Sequence, residues 1–450
     1  MNTHNPYTGE LLASYVVLTE AQIQQKLELA QKTHAVWKDT TTADRAAKLK
    51  TVATVLLKNK DKYAHQMALE MGKPIRQGRG EIEKCAWLCE HIADSGPEQL
   101  RPELIVTDYA QSYVVFESIG TVLAVMPWNY PFWQVIRFIA PALMVGNVGV
   151  LKHASNVMGC AQMLEELFIE AGYEKGCFQS LVIASDAVEA IIKNPIIKAV
   201  TLTGSTAAGS AVASAAASEI KKSVLELGGS NALVVLKDAN IEQTVATCVA
   251  ARFQNTGQSC IAGKRLLLHK DIAVLFMERF KKAVLALESG NPLQEHIYIG
   301  VMAREELAVE LEELMNESIA MGATLVLGGQ RDKAYFEPTI LTNVTAAMPV
   351  FKKETFGPLM AVTTFETTAE AIDLVNASVF GLGVSLFTEN IAAATALVSQ
   401  FKDGAVFINE KVSSHPALPF GGTGTSGYGR ELSHYGLKEF CNIKTVVVAS

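Results

Sequence analysis

A chain of 450 residues is too long for one ordinary hydrophobic core and calls for two or three domains. With 49% apolar and 19% charged residues it has a globular balance, which excludes a disordered chain. A net charge of -7 gives no electrostatic reason to expect nucleic acid or an anionic membrane as partner. The start, Met1-Asn-Thr-His-Asn-Pro-Tyr-Thr-Gly-Glu10, has no charged opening and no apolar stretch of the secretory kind. The seven cysteines (85, 89, 160, 177, 248, 260 and 441) form no metal-ligand pattern, so free thiols in a cytoplasmic protein are expected, and no metal.

In chain order, Thr19-Glu-Ala-Gln22 spells a capping box, followed by Ile23, Leu27 and Ala30 at helical spacing. A longer helix is expected from Thr42 to Met71, stopped by Gly72-Lys73-Pro74. A third begins near Gly80 and carries Cys85, Leu88, Cys89 and Ile92 on one side. These helices read as packing material without chemistry. The apolar run Phe132–Leu151 approaches the length of a membrane span, but Gln134, Arg137, Pro141 and Asn147 make it a buried helix leading to a strand.

After a strand at 112–117 the pattern changes: short apolar strands at 121–125, 148–152, 178–184 and 199–203 alternate with helices at 131–145, 156–171 and 186–193. That alternation predicts parallel βαβ units, whose ligands bind beyond the carboxyl ends of the strands. A strand at 222–227 ends in Glu226-Leu-Gly-Gly229, and a second strand–helix series runs from 231 to 409. The glycine pair marks the boundary between the two domains. Phe420-Gly-Gly-Thr-Gly-Thr-Ser-Gly-Tyr-Gly429 reads as a flexible loop rather than a phosphate cradle, and a last strand falls at 445–448.

Cys260, in Gln254-Asn-Thr-Gly-Gln-Ser-Cys260, sits in a polar glycine-bearing loop, where a thiol is either a nucleophile or a buried packing group. Gly204-Ser-Thr-Ala-Ala-Gly209, between a strand and an alanine-rich helix, is either an ordinary turn or a place where free N–H groups meet a phosphate. Glu226 is a strand-end charge or a general base of raised pKa. Asn129 is a turn residue between prolines or an amide donor to an oxyanion. Lys152 is a single strand-end cation, and Glu354 caps a turn or holds a sugar.

Taken together, Met126-Pro-Trp-Asn-Tyr-Pro131, Thr203-Gly-Ser-Thr206, Glu226-Leu-Gly-Gly229, Gly257-Gln-Ser-Cys260, Glu354-Thr-Phe-Gly-Pro358 and Ser426-Gly-Tyr-Gly-Arg430 resemble the aldehyde dehydrogenase superfamily in kind and order. The tail 429–440 and Lys152-His-Ala-Ser155 look most like the short bacterial succinate-semialdehyde dehydrogenases. The resemblance implies an α/β fold with a Rossmann-like cofactor domain (1–107 and 119–227) and an α/β catalytic domain (228–412). It adds a small β oligomerisation arm (108–118 and 437–450), an interdomain active-site segment (413–436), and a homo-oligomer, dimer or tetramer. It makes Cys260 the nucleophile, Asn129 with the Cys260 N–H the oxyanion donors, and Glu226 the activator of the hydrolytic water. Cofactor contacts would come from Trp128, Lys152, Ser155, Gly204, Ser205, Gly209, Leu227, Glu354 and Phe356. Many NAD-preferring relatives carry a glutamate where this chain has Ser155, so NADP is favoured and NAD also accepted. Such semialdehyde enzymes hold the substrate carboxylate with two arginines and a serine. Arg137 and Ser414 match one arginine and the serine, while Gln254 replaces the other arginine. The expected reaction is oxidation of succinate semialdehyde to succinate. The alternatives are a broader aliphatic or ω-carboxylic aldehyde dehydrogenase, and an inactive nucleotide-binding or structural homologue.

Overall fold

The structure, a computed structural model, describes residues 1–449. Its first large sheet has six strands in the order Gly427–Tyr428, Lys222–Glu226, Ile197–Thr203, Thr121–Met126, Val148–His153 and Phe178–Ser180. The last five are parallel, as right-handed crossovers through helices require. From Thr121–Met126 the chain steps outward to Phe178–Ser180, then returns to the opposite side of its first strand. That reversal opens a crevice where the strands Thr121–Met126 and Ile197–Thr203 end. Pairing of Met126 with His153 and of Thr203 with Glu226 brings neighbouring carboxyl ends to matching depth.

A second sheet of seven strands runs Thr324–Leu327, Thr339–Thr342, Leu359–Phe365, Gly263–His269, Asn231–Val235, Val384–Phe387 and Val406–Ile408. All but the first of these are parallel. Its two faces bury separate apolar clusters, and the first sheet with its helices buries a third. The glycine-rich stretch expected to be a flexible loop is instead fastened to both units. Gly427–Tyr428 pairs with Leu225–Glu226 of the first sheet, and Thr423–Gly424 pairs with Phe380–Gly381. Gly427 (φ +110) lies so close to the strand that a Cβ would come within 2.0 Å of the Leu225 carbonyl oxygen.

The expected helix over 42–71 is two helices, Thr42–Lys58 and Lys60–Met71, broken at Asn59 (φ -100, ψ 13). The Asn59 side chain donates to the Val55 carbonyl at 3.2 Å, so its amide competes with the backbone for helical acceptors. The next helix starts at Ile75, directly after Pro74, and runs to Gln99. Gly78 is inside it because that face packs on Ala64, where an added Cβ would sit 3.1 Å from Cα. The strand expected at 178–184 stops at Ser180, and the series expected to end at 409 closes with the strand Val406–Ile408. Trp133–Val145 is a helix with all 13 residues buried, and it leads to Val148–His153, as the apolar run implies.

Cys441–Val448 pairs antiparallel with Gln111–Ser118 along their full lengths, and Glu103–Leu104 adds a third short strand to this sheet. Ser450, at the end of the expected arm, lies outside the described residues. Among the described residues no helix is long and apolar enough to cross a membrane.

Candidate active site

The helix Ile241–Phe253 ends in a turn whose backbone is unusual. Asn255 and Thr256 both have φ +55, and Gly257 has φ +71. Two non-glycine residues in this region cost energy, which local hydrogen bonds offset. The Asn255 backbone N–H donates to Gln77 Oε1 (2.6 Å), and its side-chain amide donates to the carbonyls of Asn129 (2.9 Å) and Gln258 (3.0 Å). Thr256 Oγ1 accepts from Gly300 N, and Gln258 Oε1 accepts from Ala303 N. Gly257 lies against the next segment, where a Cβ would stand 2.3 Å from the Gly357 carbonyl oxygen. The strained turn throws Cys260 out beyond the start of Gly263–His269, partly exposed, while Cys85, Cys89, Cys160, Cys177 and Cys248 are buried.

Asn129 reaches the same loop. Its Nδ2 donates to the Gln258 carbonyl at 3.1 Å, and its Oδ1 accepts from Gln134 Nε2 at 3.0 Å. One amide N–H is thereby fixed, and the orientation of the other is fixed with it. The Asn129 turn is anchored from below: Glu81 Oε1 accepts the N–H groups of Phe132 and Trp133, each at 2.9 Å, where the buried helix begins. Glu81 in turn pairs with Lys73, and both side chains are buried. His153 Nδ1 accepts from Ala154 N (3.0 Å), which leaves Nε2–H to donate to the Pro131 carbonyl (2.9 Å), and burial lowers its pKa to about 4.

Glu226 is almost fully buried, and neither carboxyl oxygen has a hydrogen-bond partner. Burial, and then the carboxyl of Glu431, push its pKa well above the usual carboxylate range, against the pull of Arg137 and Arg430. Arg137 and Glu431 form a buried ion pair, and Arg137 Nη2 also donates to Thr203 Oγ1 at 3.3 Å. Glu226 does not line the cavity that holds Cys260, but its charge acts on that thiol, and a Cβ on Gly421 would approach its Oε1 to 2.8 Å. Ser426 fastens this strand end: its Oγ donates to the Gly228 carbonyl at 2.6 Å, and its carbonyl accepts from Leu227 N.

Toward the first sheet, Ser205 caps the helix Thr206–Ser218 through Ala208 N, leaving Gly204 before its first turn. Gly209 packs on Leu227, with 2.6 Å to a hypothetical Cβ. Lys152 is mostly buried, which lowers its pKa, and its Nζ donates to Ser185 Oγ at 3.3 Å. Among the described residues no carboxylate pairs with it. Ser155 opens the short 3-10 turn after this strand. Trp128 and Phe356 meet edge to face at 5.6 Å, placing both beside Glu354. Glu354 Oε1 accepts from Gly229 N (3.0 Å) and from Lys264 Nζ (2.8 Å).

Three residues that the motifs did not single out hold this arrangement. Lys264, fully buried, donates to the Ser259 and Cys260 carbonyls at 2.8 and 2.7 Å as well as to Glu354. Arg252 ties the preceding helix to the Glu354 segment through the carbonyls of Thr355 and Gly357. Lys84 Nζ meets Ser414 Oγ at 2.6 Å. Lys264 is four residues after Cys260, and its cation inside an apolar strand start was the available signal. Lys84 lies on a helix that amphipathicity alone presents as packing, so nothing in its spacing marks it.

A cavity of about 510 Å³ opens at Cys260. Arg137, Gln254 and Ser414 line it together with Lys84, Trp133 and Phe420. Burial pushes the Cys260 thiol up to about 11, with Lys264 and Arg137 pulling it back. Fold and site together define a doubly wound α/β protein that presents one cysteine to a deep cavity where two sheets meet.

The aldehyde dehydrogenase family model matches residues 1–446. A probable NADP-dependent succinate-semialdehyde dehydrogenase of Synechocystis sp. is 43% identical over 99% of both chains. A succinate semialdehyde dehydrogenase of Escherichia coli, named for NAD(P), is 42% identical over 98% of this chain and 96% of its own. The solved structure of the Streptococcus pyogenes succinic semialdehyde dehydrogenase with NADP matches with a TM-score of 0.97, at 34% identity and full coverage of both chains. The chain belongs to the aldehyde dehydrogenase family.

Proposed function

We propose that this protein oxidises an aldehyde bearing a terminal carboxylate, succinate semialdehyde foremost, to the acid, with NADP preferred and NAD also accepted. The observation that carries this reading is the juxtaposition of Cys260, Arg137 and Ser414 around one cavity, with the Asn129 amide fixed against the Cys260 loop. The similarity to three enzymes named for that substrate supports it.

In this reading Cys260 Sγ, after losing its proton, attacks the aldehyde carbon to form a thiohemiacetal. The free N–H of Asn129 and the backbone N–H of Cys260 hold the oxyanion. NADP, when bound, accepts the hydride. Collapse of the thiohemiacetal leaves a thioester, and Glu226 takes the proton of the water that hydrolyses it. Lys152, unpaired with any carboxylate among the described residues and bonded to Ser185, suits the 2′-phosphate of NADP, with Ser155 three residues on. The Ser205-capped helix start offers N–H groups to the diphosphate, and Glu354 offers a carboxylate to ribose hydroxyls. We also place a homo-oligomer here: Leu104, Val106, Ile443, Val447 and Val448 are exposed apolar residues on and beside the three-stranded sheet. Seven free cysteines accord with a cytoplasmic setting.

Rapid mixing of enzyme, NADP and succinate semialdehyde should give a burst of NADPH that Cys260→Ala abolishes. A wild-type enzyme that forms NADPH neither in a burst nor at steady state overturns the reading in favour of an inactive nucleotide-binding homologue. Gln254, where a second arginine would stand, favours a broader aliphatic range as the second reading. A panel of aldehydes with and without a terminal carboxylate, run with both cofactors, separates the two.

A further inference from the structure

The substrate-carboxylate site has a charge problem. Gln254 is neutral, and Arg137 is already paired with Glu431 in a buried contact. A substrate carboxylate that met only these groups would be desolvated against a neutralised pair, an expensive exchange. Arg76, Lys84 and Lys411 also line the cavity, and of these Lys84 bonds Ser414. Lys84 has no carboxylate partner among the described residues. Its ammonium stands 4.5 Å from the centre of the Trp133 ring. Its Nζ is hydrogen-bonded at 2.6 Å to Ser414 Oγ, the hydroxyl that the substrate carboxylate is expected to meet.

We propose that Lys84 is a specificity-determining residue, supplying the cation that Gln254 does not, so that the substrate carboxylate is held between Lys84, Ser414 and Arg137. This rests on the reading that the cavity takes an ω-carboxylic aldehyde. The helix Ile75–Gln99 thereby takes part in recognition, presenting Lys84 one turn after Glu81, which fixes the Asn129 turn. Cation–π contact with Trp133 holds the flexible lysine stem toward the cavity, which lowers the entropy cost of engaging an anion. Burial first, then Arg137 and Lys411, lower the Lys84 pKa to about 8, with Cys85 and Glu81 opposing them. A bound carboxylate would restore the charge that burial disfavours.

The test uses the full enzyme with NADP and two four-carbon substrates, succinate semialdehyde and butanal. Lys84→Met should raise KM for succinate semialdehyde at least about tenfold, the effect of losing one charge-assisted hydrogen bond. For butanal, KM should stay within about twofold, and the NADPH burst with butanal reports that the site is folded. Lys84→Arg should restore most of the affinity. In wild type, KM for succinate semialdehyde should climb above about pH 8, a rise absent in Lys84→Arg. An unchanged KM, or an equal rise for both aldehydes, removes Lys84 from the substrate site. A wild-type enzyme that fails to prefer succinate semialdehyde over butanal removes the functional reading itself, and is visible before any variant is made.

Discussion

Burial acts in the same direction on the two groups that must lose protons, pushing the Cys260 thiol to about 11 and raising the Glu226 carboxyl. The thiol is thereby held protonated near neutrality and the carboxyl is biased toward its neutral form, so turnover should accelerate as pH rises through the neutral range. Glu226→Gln should keep the NADPH burst and slow steady-state turnover by about 10²–10⁴-fold, the usual weight of a general base. The same substitution tests linkage. A carboxyl whose folded pKa lies above its unfolded value favours the native state fully below the unfolded pKa and loses that contribution as pH rises. Glu226→Gln should therefore raise Tm relative to wild type by on the order of 2 °C at neutral pH, with a smaller difference near pH 4. At the cofactor end, Ser155→Glu should repel a 2′-phosphate and shift the NADP-to-NAD ratio of kcat/KM toward NAD by at least about tenfold. An unchanged ratio would separate Ser155 from cofactor choice.

The Cys260 loop is an element whose shape depends on partners distant in sequence. Gln77, Asn129, Gly300, Ala303 and Gly357 all contact its turn, and Lys264 binds two of its carbonyls. Gly257→Ala combines a positive φ with a backbone collision and should cost roughly 2–4 kcal/mol. Denaturant melts should show the loss, and a thiol reagent should report altered Cys260 reactivity at the same time. The long helix expected over 42–71 and the loop expected at 420–429 show why elements were only partly legible. One side-chain amide at Asn59 breaks a continuous helical pattern. A glycine run that looks flexible becomes ordered because two strand edges, Leu225–Glu226 and Phe380–Gly381, accept it. Neither edge is visible from the run itself.

For the whole molecule, the paired strands Gln111–Ser118 and Cys441–Val448 carry exposed apolar residues without cover from this chain. Val447→Lys together with Ile443→Lys should shift the proposed oligomer toward smaller species in light scattering, with the fold retained by circular dichroism. An unaltered mass would place any interface elsewhere.

The sequence by itself determined the α/β alternation and the family. Short-range periodicity and fixed spacing carry that information without knowledge of the fold. Only the tertiary structure decided which residues share a cavity, because Lys84, Arg137, Cys260 and Ser414 come from four distant stretches. It also decided that Glu226 is buried under the influence of Glu431 and of the Arg137 ion pair. Burial and charge pairing are properties of packed neighbours, and a helix whose spacing shows only an apolar face gives no sign of the lysine it lends to the site.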